Sequence, residues 1–306
     1  MNTHKKELAK GVISVSISSI LFGFLPILCK QVLNDSFDSK SLVFIRYGIA
    51  CALLAVILPC AKISFKITKK QALAFLIFGI IGGSVTSTLL STSYTYMFAG
   101  IATMFHFSYP IFVSLIMTVV FREKLSWKVA LAVALAVGGM VLMADRGGNY
   151  SLVGVLLAVA SGLTLAIYIV ATKKSSYGTL HPLKIVFYIS AVSTVVSLIV
   201  KLAVSGRVAT PASRADWVRM VLIALLCTVF AHSLLAYGVQ KLGATVGSVI
   251  NMTEPIISLV AGALMIGEVP SRLAIVGCVL VFLAIFIIIF YANKPKVEEH
   301  SHVDIS

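Results

Sequence analysis

The sequence predicts an all-α polytopic membrane protein, with ten transmembrane helices in two inverted five-helix repeats. Three observations lead there. Apolar runs of about 20 residues, the length that crosses a ~30 Å hydrocarbon core, recur along the whole 306-residue chain. Charged residues make up only 12% of the sequence against 59% hydrophobic, roughly half the charged share of a soluble domain. A pattern of proline, glutamate and serine also recurs at an offset of 145 residues, as Pro110, Glu123 and Ser126 and then Pro255, Glu268 and Ser271.

Reading the apolar runs against their breakers places spans at 11–32, 41–60, 71–95, 99–121, 127–144, 151–172, 182–203, 217–239, 243–266 and 271–291. The first follows MNTHKKELAK, a basic start with the outline of a signal peptide. No small-residue cleavage site follows, so this run is read as a retained helix. The third and fourth spans are joined by MFAGI (Met97 to Ile101), the eighth and ninth by QKLGA (Gln240 to Ala244). These tight joints fall at the same place in each set of five. At an offset of 143 residues FGFLPILCK (Phe22 to Lys30) aligns with LAIYIVATK (Leu165 to Lys173), Val43-Phe44 with Val186-Phe187, Tyr94 with Tyr237, and Gly100 with Gly243. An odd number of spans per copy makes the two copies cross the membrane in opposite senses, an arrangement in which substrate is handled near midplane between the halves. The expected organisation is a first repeat over 1–145, a second over 146–292, and a polar cytoplasmic tail over 293–306.

The formal net charge of +14 resides mostly in short loops. With the N-terminus inside, the inner segments hold 16 Lys and Arg and the outer ones 8. Both termini are therefore expected on the cytoplasmic side of the cell membrane. The loop from Gly206 to Arg219 runs against that rule. Basic residues placed this way meet anionic lipid headgroups; no basic stripe with interleaved aromatics points to nucleic acid. The five cysteines (Cys29, Cys51, Cys60, Cys227, Cys278) lie in or at the ends of apolar runs without a C-x-x-C pair, and read as small apolar helix residues.

FGFLPILCK, the arginine of VFIRYGIA, the YPIF…FREKL and EPII…GEV pairs and the 5+5 layout together resemble the EamA-type drug/metabolite transporters over nearly the whole chain. The resemblance implies a ten-helix fold with a central cavity between repeats and cytoplasmic termini. It also implies alternating-access movement of small metabolites, often as export, with no single substrate class. Many members carry Trp-Gly near the end of the first span, where this chain has Phe22-Gly23.

Candidate substrate-binding residues are the polar ones at mid-span. Glu254 lies in NMTEPIISL, directly before a proline and far from either end of its span. Intramembrane ionisable groups face protein or a wet cavity and are functional suspects. Two readings stand together. A protonated Glu254 that hydrogen-bonds across helices and holds the repeats together is placed first, and a group that takes a proton or a substrate ammonium second. At the 145-residue offset Asn251 and Glu254 correspond to His106 and Tyr109, each pair spaced i, i+3 and so on one helix face. Cavity donor and plain interhelical hydrogen bond weigh equally for His106; no acid or cysteine at ligand spacing makes it a metal ligand. Ser84, Ser87, Thr88, Ser91 and Thr95 form a hydroxyl stripe, read more as packing than as substrate contact. Tyr94, Tyr237 and Tyr168 offer a ring to stack and a hydroxyl to aim. Arg46, inside the second span, must snorkel, meet an acid or bind an anion. Facing inward, it would hold a carboxylate while Glu254 takes an amine, which suits a zwitterion. Glu123 and Glu268 are read as helix-end salt bridges with Lys124 or Arg272.

There is no P-loop, nucleophile elbow, paired-acid site or His/Cys metal cluster, so no enzyme, cofactor or metal is expected. The function expected is secondary transport of small polar metabolites across the cytoplasmic membrane, amino acids among them. The partners expected are a small-molecule substrate, membrane lipid and a proton as candidate coupling ion. The alternatives are exchange of phosphorylated or nucleotide-linked sugars, and a lipid flippase or structural membrane subunit.

Overall fold

The computed structural model describes residues 3–33, 37–97, 99–123, 126–143, 151–266 and 271–292. Lys124, Arg146, Glu268, Lys294, Lys296 and the tail 293–306 lie outside them. The described chain is helical without a strand, and it folds as the all-α, two-repeat bundle of ten spans that the sequence predicts. Eight spans are long and apolar enough to cross a membrane, and Trp127–Leu142 and Ile275–Phe290 are shorter apolar helices at the fifth and tenth places.

Five of the ten spans are not uniform α-helices, and the sequence explains most of this. The first is α1 (Thr3–Gly23) and α2 (Leu25–Val32). The second is α3 (Ser39–Cys60). The third joins α4 (Lys69–Phe78) to α5 (Thr86–Ser93) through a π-helical stretch, Gly79–Val85. The fourth is α6 (Ala99–His106) and α7 (Tyr109–Val119); the fifth is α8 (Trp127–Met143). In the second repeat α9 (Leu152–Lys174) and α10 (Pro182–Ser205) are continuous. The eighth span joins α11 (Arg214–Leu222) to α12 (Ala231–Leu242) through a second π-helical stretch, Ile223–Phe230. The ninth is α13 (Ala244–Asn251) and α14 (Glu254–Ile266), and the tenth is α15 (Arg272–Ala292).

Each clean break precedes a proline: Pro26 after Leu25, Pro110 after Tyr109, Pro255 after Glu254. Proline lacks an amide donor and disfavours helical backbone in the residue before it, but fits the first turn of a new helix. The sixth span has Ile169 where the first has Pro26, and it runs unbroken. The two π-helical stretches are themselves repeat-related. Thr86, directly after the first stretch, and Thr228, within the second, donate to the carbonyls five residues back, Ile81 at 2.9 Å and Ile223 at 3.3 Å. The loops use ordinary helix signals. Asp38 caps α3 by accepting from the Lys40 and Ser41 amides, Thr68 and Gln71 form a capping box on α4, and Ser213 caps α11. Gly243, with φ at 90°, makes the tight joint between α12 and α13, a backbone conformation that costs glycine little.

The repeats interlock. The second span of each, α3 and α10, lie against one another, as do the fifth spans α8 and α15. The first span of each repeat packs on the third of the other: α1 on α12, and α9 on α5. Close crossings use small residues. A Cβ on Gly23 would meet Ile257 at 2.5 Å, and one on Gly139 would meet the Gly277 carbonyl at 2.6 Å. Several buried serines bond back to their own helices, as Ser193 does to the Ile189 carbonyl at 2.7 Å, which lets helices approach closely. Large apolar side chains such as Leu264, Leu152 and Phe286 point outward, as a lipid-facing surface requires.

Polar contacts gather at the two faces. On the N-terminal face Glu7 reaches Lys10 and Lys241, the Lys184 ammonium donates to the Lys66 carbonyl, and the Tyr188 hydroxyl donates to that of Phe65. Phe75 stacks between Tyr177 and Tyr188, with centroids 4.5 and 4.9 Å away. Glu123 pairs with Lys174 at the end of α9, 2.7 Å away, while its expected partner Lys124 lies outside the described residues. α7 ends at Val119, so Glu123 extends past its own helix to a neighbour. On the opposite face Asp38 pairs with Lys201. Burial alone would raise the Asp38 carboxyl, but hydrogen bonds from Lys201 and from the Ser41 amide and hydroxyl outweigh it and hold it below its ordinary value.

Two predictions follow from this packing. Gly139→Leu should force α8 and α15 apart and lower stability by about 1–3 kcal/mol, whereas Gly138→Ala, whose Cβ meets nothing within 4 Å, should be neutral; apparent melting temperatures in detergent compare them. Because the folded Asp38 carboxyl is depressed, its contribution should be present above its unfolded pKa of about 3.9 and be lost as pH falls through the folded value. Asp38→Asn should therefore be less stable than wild type at pH 7, with the gap closing on acidification.

Candidate functional site

Residues at or beside the three X–Pro breaks and Gly82 of the first π-helical stretch line one cavity at mid-span, and the second stretch reaches it through Thr228 on Arg46. It is lined by Phe22, Leu25 and Cys29 of the first span, Leu42, Val43, Arg46 and Tyr47 of α3, and Gly82, Thr86, Ser87, Leu90, Ser91 and Tyr94 of the third span. His106, Leu165, His232, Leu235, Asn251 and Glu254 complete it. Its volume is about 70 Å³, small beside the ~300–1,000 Å³ of drug-sized ligand sites. The lining reaches Cys29, Leu42 and Tyr94, close to the face opposite the N-terminus. Toward the N-terminal face it stops at Leu165 and Leu235, and the aromatic stack of Phe75, Tyr177 and Tyr188 lies beyond.

Four side chains that the sequence offset pairs do come together, in two separate arrangements. Asn251 is the hub of the first. Its Nδ2 donates to the Tyr109 hydroxyl oxygen at 3.0 Å and to Glu254 Oε2 at 3.3 Å, while its Oδ1 accepts from Ser19 at 3.1 Å. The Tyr109 hydroxyl donates onward to the Ser248 carbonyl at 3.3 Å. That direction fixes the amide: Tyr109 has spent its proton, so only Nδ2 can face it. Both Asn251 N–H groups are used, and Glu254 keeps Oε1 for the cavity. Glu254 opens α14, and the N-terminal end of a helix, where backbone N–H groups are free, is where a carboxylate is best tolerated. His106 belongs to the second arrangement. Its Nδ1 lies 2.7 Å from the Ser161 hydroxyl, which itself donates to the Ala158 carbonyl at 2.6 Å, so the imidazole supplies the proton. Its ring centroid is 5.9 Å from that of Tyr109.

Arg46 faces inward and does not snorkel. It is 5% exposed, its Nε donates to Thr228 Oγ1 at 2.7 Å, and its guanidinium carbon lies 5.4 Å from the Tyr47 ring centroid. Arg46 and Glu254 are close enough to interact electrostatically, yet no ion pair joins them among the described residues.

The other candidates divide. Tyr94 lines the cavity, with its hydroxyl 3.3 Å from Thr103 Oγ1. Tyr109 is fully buried behind Asn251. Tyr168 lies one layer back, against Gly82 and the His232 ring. Tyr237 is elsewhere: Lys241 sits over its ring, 5.5 Å from the centroid, toward the N-terminal face. The hydroxyl stripe also splits. Ser87 and Ser91 reach the cavity, Ser84 bonds Ser197 of α10 at 2.9 Å, and Thr95 bonds back to the Thr92 carbonyl at 2.8 Å. The π-helical stretch rotates the face that a regular α-helical period would keep together.

Sequence reasoning passed over Tyr47, Thr228 and His232. The His232 ring packs edge-on against Phe22 at 4.8 Å, and its Nδ1 donates to the Cys227 carbonyl at 2.8 Å. The available signal was Thr228 and His232 at i, i+4 in the middle of an apolar run. The cysteines are free, and no cluster of metal-ligating side chains occurs among the described residues.

Comparison with known proteins accounts for this architecture. The EamA-like transporter family model matches twice, over residues 9–144 and 152–290. The chain belongs to the EamA-like transporter family. It is similar to an uncharacterized transporter of Synechocystis sp., 28% identical over 70% of this chain and 65% of that protein, just under two thirds of its length. An uncharacterized transporter of Archaeoglobus fulgidus is 24% identical over 80% of this chain and 86% of its own. A biotin transporter of Salmonella typhimurium is 25% identical over 78% and 80%. One crystal structure superimposes with a TM-score of 0.79, covering 93% of this chain and 98% of that one at 13% identity, a likeness of fold. This EamA-family protein is a multi-pass membrane transporter of small molecules.

Asn251→Leu would remove the donor that both the Tyr109 hydroxyl oxygen and Glu254 accept from, so it should cost about 2–4 kcal/mol. Tyr109→Phe, which removes one partner and keeps Asn251 on Glu254, should cost about 1 kcal/mol. Thermal unfolding of the purified variants measures the order.

Proposed function

We propose that this transporter moves small polar metabolites, amino acids among them, through the central cavity by alternating access. It acts as a secondary transporter of the cytoplasmic membrane, in the outward direction, with both termini in the cytoplasm. The observation that carries the reading is a mid-span cavity between the two repeats that holds a buried guanidinium and a half-buried carboxylate without pairing them. Apolar walls with few convergent polar groups suit a small polar ligand. The excess of Lys and Arg on the N-terminal side supports the orientation. A relative named as a biotin transporter supports a small-metabolite cargo.

The residues proposed to meet substrate are Arg46, Tyr94, His106, Asn251 and Glu254, with Tyr109 and Tyr168 behind them. Tyr237 enters only as part of the N-terminal face. The two repeats, over 1–145 and 146–292, supply the two frames whose relative movement exposes the cavity alternately. Because each repeat's first span is packed on the other's third, that movement has to slide or bend α1 and α9 rather than separate two free domains. Glu254 is the proposed proton or ammonium site, through Oε1. The groups that border it are Asn251, Tyr109 and Tyr94, with Arg46, His106 and His232 around the same cavity.

Flux measurements in proteoliposomes with a panel of neutral amino acids, biotin and a sugar phosphate test the reading; saturable movement of a small metabolite is expected. Phospholipid scrambling without metabolite flux would mark a flippase instead. A pH gradient should change flux in wild type and not in Glu254→Gln. Equal responses in the two proteins would assign Glu254 to holding the repeats together.

A further inference from the structure

The side chain at the cavity whose protein partners do not account for it is Arg46. It is permanently charged, 5% exposed, and commits only Nε, to Thr228. Nη1 and Nη2 meet no acceptor among the described residues, and the residue lines the cavity. A buried guanidinium with an empty fork is unfavourable, and a carboxylate fills that fork with two parallel charge-assisted hydrogen bonds.

Building on the transport reading, we infer that the cavity binds its substrate by a single carboxylate held on Nη1 and Nη2 of Arg46. Thr228 is the positioning residue that aims the guanidinium.

The charge inventory selects carboxylate over phosphate. Among the described residues Arg46 is the one Arg or Lys in the cavity lining, and Glu254 shares the space. A phosphate dianion would bring a second negative charge with no second cation to meet it. Leu25, Leu42, Val43 and Leu90 line the same space together with Thr86, Ser87 and Ser91, so the ligand's remainder meets a mixed wall of apolar side chains and hydroxyls. The fork is single because the repeat does not copy it: Ile189 stands in the second repeat where Arg46 stands in the first.

Thr228 suits the aiming role because of the π-helical stretch around it. Its hydroxyl proton goes to the Ile223 carbonyl, which leaves an oxygen lone pair for Arg46 Nε and turns Nη1 and Nη2 away from Thr228. Its counterpart Thr86 faces another hydroxyl, Thr164 at 2.7 Å, and no cation. The Tyr47 ring lies 5.4 Å from the guanidinium carbon and is held by Ser87, 2.9 Å from its hydroxyl.

The test compares probes of one skeleton on the purified full-length protein by calorimetric titration: leucine, 4-methylpentanoate and leucinamide, with biotin as an unrelated carboxylate. At least one carboxylate should bind, and leucinamide should be at least about tenfold weaker than leucine, the worth of a charged hydrogen bond. Arg46→Gln should abolish the difference between acid and amide. In uptake, Thr228→Val should raise KM several-fold at unchanged maximal flux, and Thr228→Ser should behave as wild type. Equal binding of leucine and leucinamide, no binding by any carboxylate, or unchanged carboxylate binding in Arg46→Gln overturns the site. Should Arg46→Gln fail to fold, the acid–amide comparison on the unaltered chain decides. Lower stability and maximal flux in Thr228→Val with KM unchanged would leave Thr228 merely structural and overturn its aiming role. Carboxylate binding without flux of any cargo sinks the transport reading and leaves the site, whereas flux of an uncharged cargo indifferent to Arg46→Gln does the reverse.

Discussion

Inside a hydrocarbon layer every backbone amide and carbonyl must find a partner within the protein, and only a helix does so alone. A helix can break at that depth only where the freed groups face protein or a polar cavity. In this chain the three clean breaks and the first π-helical stretch border one space, and the second stretch meets it through the Thr228–Arg46 hydrogen bond. The cavity permits the breaks, and the breaks supply its chemistry. Glu254 stands at the start of a half-helix, Asn251 at the end of the one before it, and Arg46 is held by a threonine of a π-helical stretch.

The two repeats share a frame and differ in what they mount on it. The joints, the X–Pro breaks of the fourth and ninth spans and the threonines at the π-helical stretches are common to both. The charged groups are not. Arg46 has Ile189 as its counterpart, Glu254 has Tyr109, and His106 has Asn251. A symmetric scaffold can adopt two related shapes of similar energy, while a single set of charged groups presents one ligand site to both. Pro26, with Ile169 opposite, adds a mechanical difference: α1 is hinged into α2 beside the cavity, and α9 is straight.

Interlocking limits how such a frame moves. α1 reaches from the Glu7–Lys241 contact on the N-terminal face to Gly23 against α14, next to Glu254. α9 runs from its end near Glu123 and Gln240 up to Ser161, the partner of His106. Each first span therefore ties the polar contacts of one face to the floor of the cavity, so the two sets of contacts belong to one mechanical unit.

The ten spans, the repeat and the suspicion on Glu254, Asn251, His106 and Arg46 were legible from residue order alone. Apolar length, proline position and a fixed offset are properties of the chain that survive any packing. The Glu123 partner, the place of Tyr237 and the roles of Tyr47, Thr228 and His232 were not. A regular 3.6-residue period puts Ser84, Ser87, Ser91 and Thr95 on one stripe and gives Tyr94 and Tyr237 equal standing. A π-helical turn inserts extra rotation that no propensity announces, so the face turned to the cavity changes within a span. Which helix lies across from which is decided by close approaches at glycines and by the exchange of first spans between repeats. Residue order thus determined that a polar group at mid-depth needs a protected space, and only the folded chain decided which groups share it.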